Sequence, residues 1–176
     1  MKKDSNVYSF LEKQLVRTNE WLRYAETKNG VLLTLALACT TKFGEYIDKD
    51  VRIGIVITIL STFAILICLL SFFPVMGKKR FIRKSNEAEK VNLLFYKDVA
   101  QLSLDEYEKR LIEEYNVNSK VIDCYCQDLI NEVIINSLIT VRKNNFFKVA
   151  CLFLSISITI YFMSIVCAHV SIYLHL

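Results

Sequence analysis

The sequence predicts an all-α membrane protein: three transmembrane helices with a small helical cytosolic module between the second and third. Three observations carry this reading. Of 176 residues, 53% are hydrophobic, while Gly 4 and Pro 1 leave few turn formers. Two stretches, residues 53–76 and 149–176, contain no Lys, Arg, Asp or Glu over 24 and 28 positions, a pattern that soluble domains rarely tolerate. The polar segment 85–148 lacks Gly and Pro, and its apolar residues recur at helical spacing.

Residues 1–28 read as an amphipathic cytosolic helix, with Val7, Phe10, Leu11, Gln14, Leu15, Trp21, Leu22 and Ala25 near one face. Residues 29–77 form a transmembrane hairpin. Its first span, about 30–46, starts where Trp21 and Tyr24 give way to the apolar run Val31 to Thr41, and amphipathic rings commonly mark a bilayer interface. That run is short for a hydrocarbon core of roughly 30 Å, so it crosses only if Lys42 snorkels and the helix continues toward Tyr46. A turn containing Gly44, Glu45, Asp48, Lys49 and Asp50 precedes the second span, 53–76, which Pro74 closes.

Residues 78–146 form the cytosolic module, helical throughout. Ala88, Val91, Leu94, Phe95, Val99 and Leu102 make one stripe, and Ser103 with Glu106 is a capping box opening a helix through Tyr115. A break falls at 116–118. A further helix begins near Ser119, carries Ile122, Tyr125, Leu129, Val133 and Val141, and runs without Gly or Pro into the third span, 147–172.

Basic residues set the orientation. Residues 1–30 carry six Lys/Arg and 77–148 carry thirteen, whereas 42–52 has three balanced by three acids. Both large polar pieces therefore face the cytoplasm, with the hairpin turn and the C-terminus outside. The cluster Lys78, Lys79, Arg80, Arg83 and Lys84 follows the second span directly, a place for anionic-lipid contact rather than for a nucleic acid polymer. With 22 basic against 18 acidic residues, the net charge of +4 does not by itself imply nucleic-acid binding. The N-terminus has no apolar run after its two lysines, so no cleavable signal peptide is expected.

No catalytic constellation is present. Phosphate-cradling glycine motifs and H-E-x-x-H are absent, and His169 and His175 lie in the apolar tail. Four of the six cysteines sit in apolar segments, and Cys124 with Cys126 forms only a C-x-C. No enzyme activity, metal site, disulfide framework or cofactor is therefore expected.

One constellation rises above background. Trp21, Ala25, Glu26 and Lys28, followed by Leu32 and Leu33, resemble the W-x-x-x-A-D-x-K-x-x-x-L-L entry of the Pycsar effector family of bacterial antiphage membrane proteins. Phe95 to Ala100, with Phe95 and Asp98, is similar to that family's F-x-D-I/V-A segment. Glu106 and Tyr107 match its E-Y element, and Ile135 to Asn145 its isoleucine-rich, lysine-bearing segment. The resemblance covers roughly residues 10 to 170, and departs from the pattern at Glu26, where Asp is usual, and at Asn29-Gly30, which suggests a looser first helix.

The resemblance implies an effector that impairs the inner membrane and kills the infected cell after a cyclase makes cyclic CMP or cyclic UMP. Glu26 and Lys28, two residues apart, cannot share a helix face, so the expectation is either different neighbours, with Lys28 on lipid headgroups and Glu26 on a basic cytosolic helix, or two ordinary interfacial charges. A lone three-helix protein encloses no pore, so leakage demands homo-oligomers. Their contacts would use polar span residues: Thr34, Thr40, Thr41 and Lys42; Thr58, Ser61 and Thr62; Ser155, Ser157, Thr159 and Ser164. The basic face 78–84 is the visible candidate for binding the signal. The competing reading is a non-toxic membrane-anchored scaffold that recruits a cytosolic partner.

Overall fold

The computed structural model describes residues 4–73 and 91–174, and the side chains of 7–73 and 91–170. Five α-helices are present among them: α1 Asp4–Tyr46, α2 Val51–Phe72, α3 Tyr96–Val99, α4 Leu104–Tyr115 and α5 Cys124–Leu174. No strand occurs among the described residues. The chain divides into two compact units. One draws on the described residues of Met1–Ala25 and Val75–Arg142, the other on those of Glu26–Pro74 and Lys143–Leu176, so α1 and α5 contribute to both.

In the first unit, α1 buries Val7, Leu11, Gln14 and Thr18, a stripe spaced by four, three and four residues. Against it pack Leu93, Val99, Leu102, Tyr107 and Leu111 and the α5 face Cys126, Ile130 and Val133. Polar pairs set the register. The Tyr8 hydroxyl donates to Asp123 (3.1 Å), the Tyr125 hydroxyl to Glu12 (3.2 Å), and Asn136 Nδ2 to Asn19 Oδ1 (2.8 Å). Residue numbers rise together along both helices, so within this unit α1 and α5 run parallel.

Helix α4 opens with the expected capping box: Ser103 accepts from Glu106 N–H and Glu106 accepts from Ser103 N–H. It ends on Asn116, left-handed at φ 52°, at the expected break. Two expectations for the module are corrected. Residues 91–95 form a turn rather than a helical stripe, because Asn92 Oδ1 accepts the Leu94 amide (2.9 Å) and folds the chain back. Only four helical residues, α3, follow it. Ala88 lies outside the described residues. The last helix starts at Cys124 rather than near Ser119, since Ser119–Val121 is a 3-10 turn. Asp123 caps α5 by accepting the Cys126 amide (2.9 Å). That bond and the Tyr8 hydroxyl outweigh desolvation and hold the Asp123 carboxyl below its ordinary value. The buried α5 face carries Cys126, whereas Tyr125 is exposed.

In the second unit, α1 runs on through Gly30 to Tyr46 without the looseness expected at Asn29-Gly30. A turn follows, with the Lys49 and Asp50 amides donating to Tyr46 O, and Asp50 then caps α2 by accepting from Arg52 and Ile53. Lys42 pairs with Glu45 at 3.0 Å. Helix α2 ends at Phe72, and Phe73 is extended at ψ 130°, as the ring of a following proline demands.

The buried face of α2 is Gly54, Ile57, Ser61, Ala64, Cys68 and Ser71, alternating three and four residues apart and mostly small. Small residues let apolar helices approach closely where lipid offers no hydrophobic driving force. Ala64 and Cys68 meet Leu32 and Ala36 of α1 and Ala150 and Leu154 of α5. Farther along, Phe43, Tyr46 and Ile57 pack with Tyr161. The opposite faces carry exposed Ile55, Ile59, Phe63, Leu66 and Leu70 on α2, and Leu152, Phe162 and Val166 on α5. Among the described residues two helices, Val51–Phe72 and Cys124–Val170, are long and apolar enough to cross a membrane; α1, which carries the expected first span 30–46, is not one of them. Helix α5 joins the last apolar run to the preceding polar helix without a break, as expected. All six cysteines are free.

The glycines of the hairpin differ in what they tolerate. A Cβ on Gly54 would meet Ile47 Cα at 2.6 Å, whereas one on Gly30 meets nothing within 4 Å. Gly54→Ala is expected to force the α1–α2 turn open at a cost of about 1–3 kcal/mol. Gly30→Ala should stabilise α1 by about 0.5–1 kcal/mol. Thermal unfolding in nanodiscs would separate the two; equal midpoints would contradict the close approach at Gly54.

Candidate functional site

Polar groups converge within the second unit around Lys143 of α5. Its side chain is only 11% exposed, so its ammonium must find partners inside the protein. Two are close. Nζ lies 3.2 Å from Glu26 Oε1 on α1 and donates to the Ser71 carbonyl on α2 at 3.0 Å. The Phe72 ring lies beneath it, 5.7 Å from Nζ to the ring centroid. Asn29, fully buried on α1, donates from Nδ2 to the Lys143 carbonyl at 3.2 Å. One lysine therefore joins three helices.

Each partner has a physical reason to be there. Ser71 sits in the last turn of α2, where carbonyls lack intrahelical donors and carry the negative end of the helix dipole. A cation satisfies both needs. Glu26 is 49% exposed on its side chain, so it balances the charge while staying half solvated, and the desolvation penalty of the pair falls mainly on Lys143.

The W-x-x-x-A-E-x-K residues divide between several tasks. Ala25 is fully buried and Trp21 is exposed against Tyr96, ring centroids 5.3 Å apart. Glu26 reaches Lys143 of α5. Lys28 lies over the Phe147 ring, 4.6 Å from Nζ to the centroid. Glu26 and Lys28 thus meet different residues of one helix, α5.

The remaining motif residues are structural in their contacts. Asp98 Oδ2 accepts the Asn92 amide at 3.0 Å, and Phe95 packs on Tyr96 at 5.1 Å. Glu106 completes the capping box. Tyr107 is fully buried, its hydroxyl has no hydrogen-bond partner among the described residues, and burial pushes its phenol up. The basic cluster Lys78, Lys79, Arg80, Arg83 and Lys84 lies outside the described residues.

The hydroxyls considered as contact or channel residues mostly bond to their own helices. Thr34, Thr40, Thr41, Thr62, Ser157 and Thr159 donate to the carbonyl four residues back, and Ser61 and Ser164 to the one three back. Thr58 Oγ1 is buried without a partner among the described residues. No group of three or more His, Cys, Asp or Glu is placed to hold a metal among them.

Sequence reasoning missed Lys143 and Asn29 as partners. The available signal was their spacing. Thr140, Lys143 and Ala150 continue the buried stripe of α5, and Asn29 lies on that of α1 between Ala25 and Leu32.

Residues 10–170 match the family model described as the Pycsar effector protein domain. No curated protein matches the sequence, and no solved structure does.

Two substitution sets test the site. Lys143→Ala and Glu26→Gln are expected to couple by about 1 kcal/mol in a double-mutant cycle, short of the roughly 3–5 kcal/mol for breaking a fully buried pair. Lys143→Ala should be the costlier single change, because it also strands the Ser71 carbonyl; strictly additive effects would refute the pairing. Tyr107→Phe, which removes an unpartnered buried hydroxyl, should stabilise the protein by about 1 kcal/mol, read as a raised unfolding midpoint.

Proposed function

The chain belongs to the Pycsar effector family, and from this premise we propose a mechanism for its role in antiphage defence. It impairs the bacterial inner membrane when a cyclic pyrimidine nucleotide, cyclic CMP or cyclic UMP, signals infection, and so causes abortive infection. The observation that carries the mechanism is the Lys143 junction. One buried cation ties α1, α2 and α5, so a change in how α1 or α5 is held would alter three packed helices together.

Packing within the second unit supports a three-span topology. The pairs Glu26–Lys143 and Phe43–Tyr161 make α1 parallel to α5, while Lys143–Phe72 and Phe153–Phe63 make α2 antiparallel. If α5 crosses the membrane, α1 crosses in the same direction and α2 returns. The N-terminus is then cytoplasmic and the C-terminus outside, in line with the basic residues.

The signal acts on the cytosolic unit, either through the basic face 78–84 or through a separate sensor, and biases the spans toward another arrangement. Damage requires homo-oligomers. Because most span hydroxyls already bond to their own backbones, a conducting form would have to repack the helices. No catalytic step is involved.

Full-length protein in dye-loaded liposomes, at densities that permit oligomers, tests this directly. Leakage is expected on adding cyclic CMP or cyclic UMP, and in cells a loss of membrane potential when a pyrimidine cyclase is co-expressed. Lys143→Ala should shift the nucleotide dose needed in either assay. Neither leakage nor depolarisation with either nucleotide would overturn the proposal and leave the scaffold reading.

A further inference from the structure

The first unit contains a rigid turn that presents apolar side chains outward. Asn92 accepts the Leu94 amide on its side chain and the Phe95 amide on its carbonyl, and its own amide donates to Asp98. Gln14 of α1, itself buried, donates to the Leu93 carbonyl at 2.6 Å, and the Leu93 side chain is buried. The turn is thereby pinned to α1. Yet Leu94 and Phe95 remain 39% and 36% exposed, beside Trp21 at 39%. Tyr96 bridges them, its ring 5.3 Å from Trp21 and 5.1 Å from Phe95.

We infer that Trp21, Leu94, Phe95 and Tyr96 form a lipid-docking surface that seats the first unit on the phospholipid headgroup layer. Both strands of chain that build it are tethered to apolar segments. Trp21 lies nine residues before Gly30, and Asn92 lies 16 residues after Met76, with five basic residues between 78 and 84. Aromatic rings with one polar edge favour this layer, where the ring is dehydrated and its N–H or O–H stays wet. The charge around the patch fits an anionic surface. Close to it in sequence stand three basic residues, Arg17, Arg23 and Lys97, against two acidic ones, Glu20 and Asp98, an excess of one positive charge. The surface does not depend on which nucleotide triggers the protein.

Trp21 is the sole tryptophan, so its fluorescence reports this surface alone. The full chain would be placed in nanodiscs of phosphatidylcholine and phosphatidylglycerol, brominated either near the headgroup end or near the terminus of the acyl chains. Blue-shifted emission is expected, with strong quenching by headgroup-end bromine, weak quenching by chain-end bromine, and poor quenching by aqueous acrylamide. Changing both Leu94→Ser and Phe95→Ser should reduce the bromine quenching and restore acrylamide access, with helicity by circular dichroism unchanged. The wild-type reading stands without that variant. Trp21 open to acrylamide and blind to bromine would overturn the inference. So would shielding from both quenchers, which assigns the face to a second copy, or quenching by added cyclic CMP or cyclic UMP without bromine quenching, which assigns it to a ligand. Liposome leakage is unaffected by either result, so this inference and the effector mechanism fail separately.

Discussion

An ammonium with almost no access to water must be surrounded by oxygen atoms, and that requirement at Lys143 organises the second unit. The carbonyl it takes from Ser71 comes from a helix end that needs a donor. The carboxylate it takes from Glu26 stays half in water. A buried ion pair stabilises poorly in general because desolvation cancels attraction. Here its larger effect is on specificity: sliding α1 by one turn would take away Glu26, and sliding α2 would take away the Ser71 carbonyl.

Apolar packing alone would not fix that register. The seam faces of α1, α2 and α5 repeat every three and four residues, and neighbouring registers of such a pattern bury similar areas. Three features remove the degeneracy in this unit. Gly54 admits Ile47 so closely that the hairpin has one geometry. Tyr161 stands between Phe43 and Tyr46. The Lys143 junction sets the other end. The first unit solves the same problem with pairs at a helix start, where Asp123, Tyr125 and Asn136 take partners from α1.

How much of this was legible follows from the range of each interaction. The membrane-type apolar runs, the α4 capping box, the αL break at Asn116 and the continuity of α5 are local, so periodicity and caps disclosed them. Apolar spacing predicts helix across the 91–95 turn because it does not register that Asn92 competes with helical bonding through its own side chain. Asn29-Gly30 read as a loose point because propensity ignores tertiary partners, whereas Asn29 is fully buried and bonded to α5. The two-residue offset says only that Glu26 and Lys28 leave α1 at different angles; both meet α5. The partner of Glu26 was not legible, since Lys143 is distant in sequence and one of thirteen basic residues in 77–148.

The sharing of α1 and α5 between the two units bears on how a change in one could be felt in the other. A flexible linker would let one unit change while the other stayed as it was. Here the backbone is helical through both divisions, at 25–26 and at 142–143, and the Glu26–Lys143 pair begins immediately beyond them. A ligand can shift such a system only by the difference in its affinity for two arrangements. The second arrangement must therefore keep Lys143 solvated by protein or expose it to water. Of its two oxygen partners Glu26 already meets water, so exposure would leave only the Ser71 carbonyl without its donor. An arrangement in which Lys143 turned outward would give up the bond to the Ser71 carbonyl and leave the last turn of α2 short of a donor, so the cost of that movement falls on the end of α2.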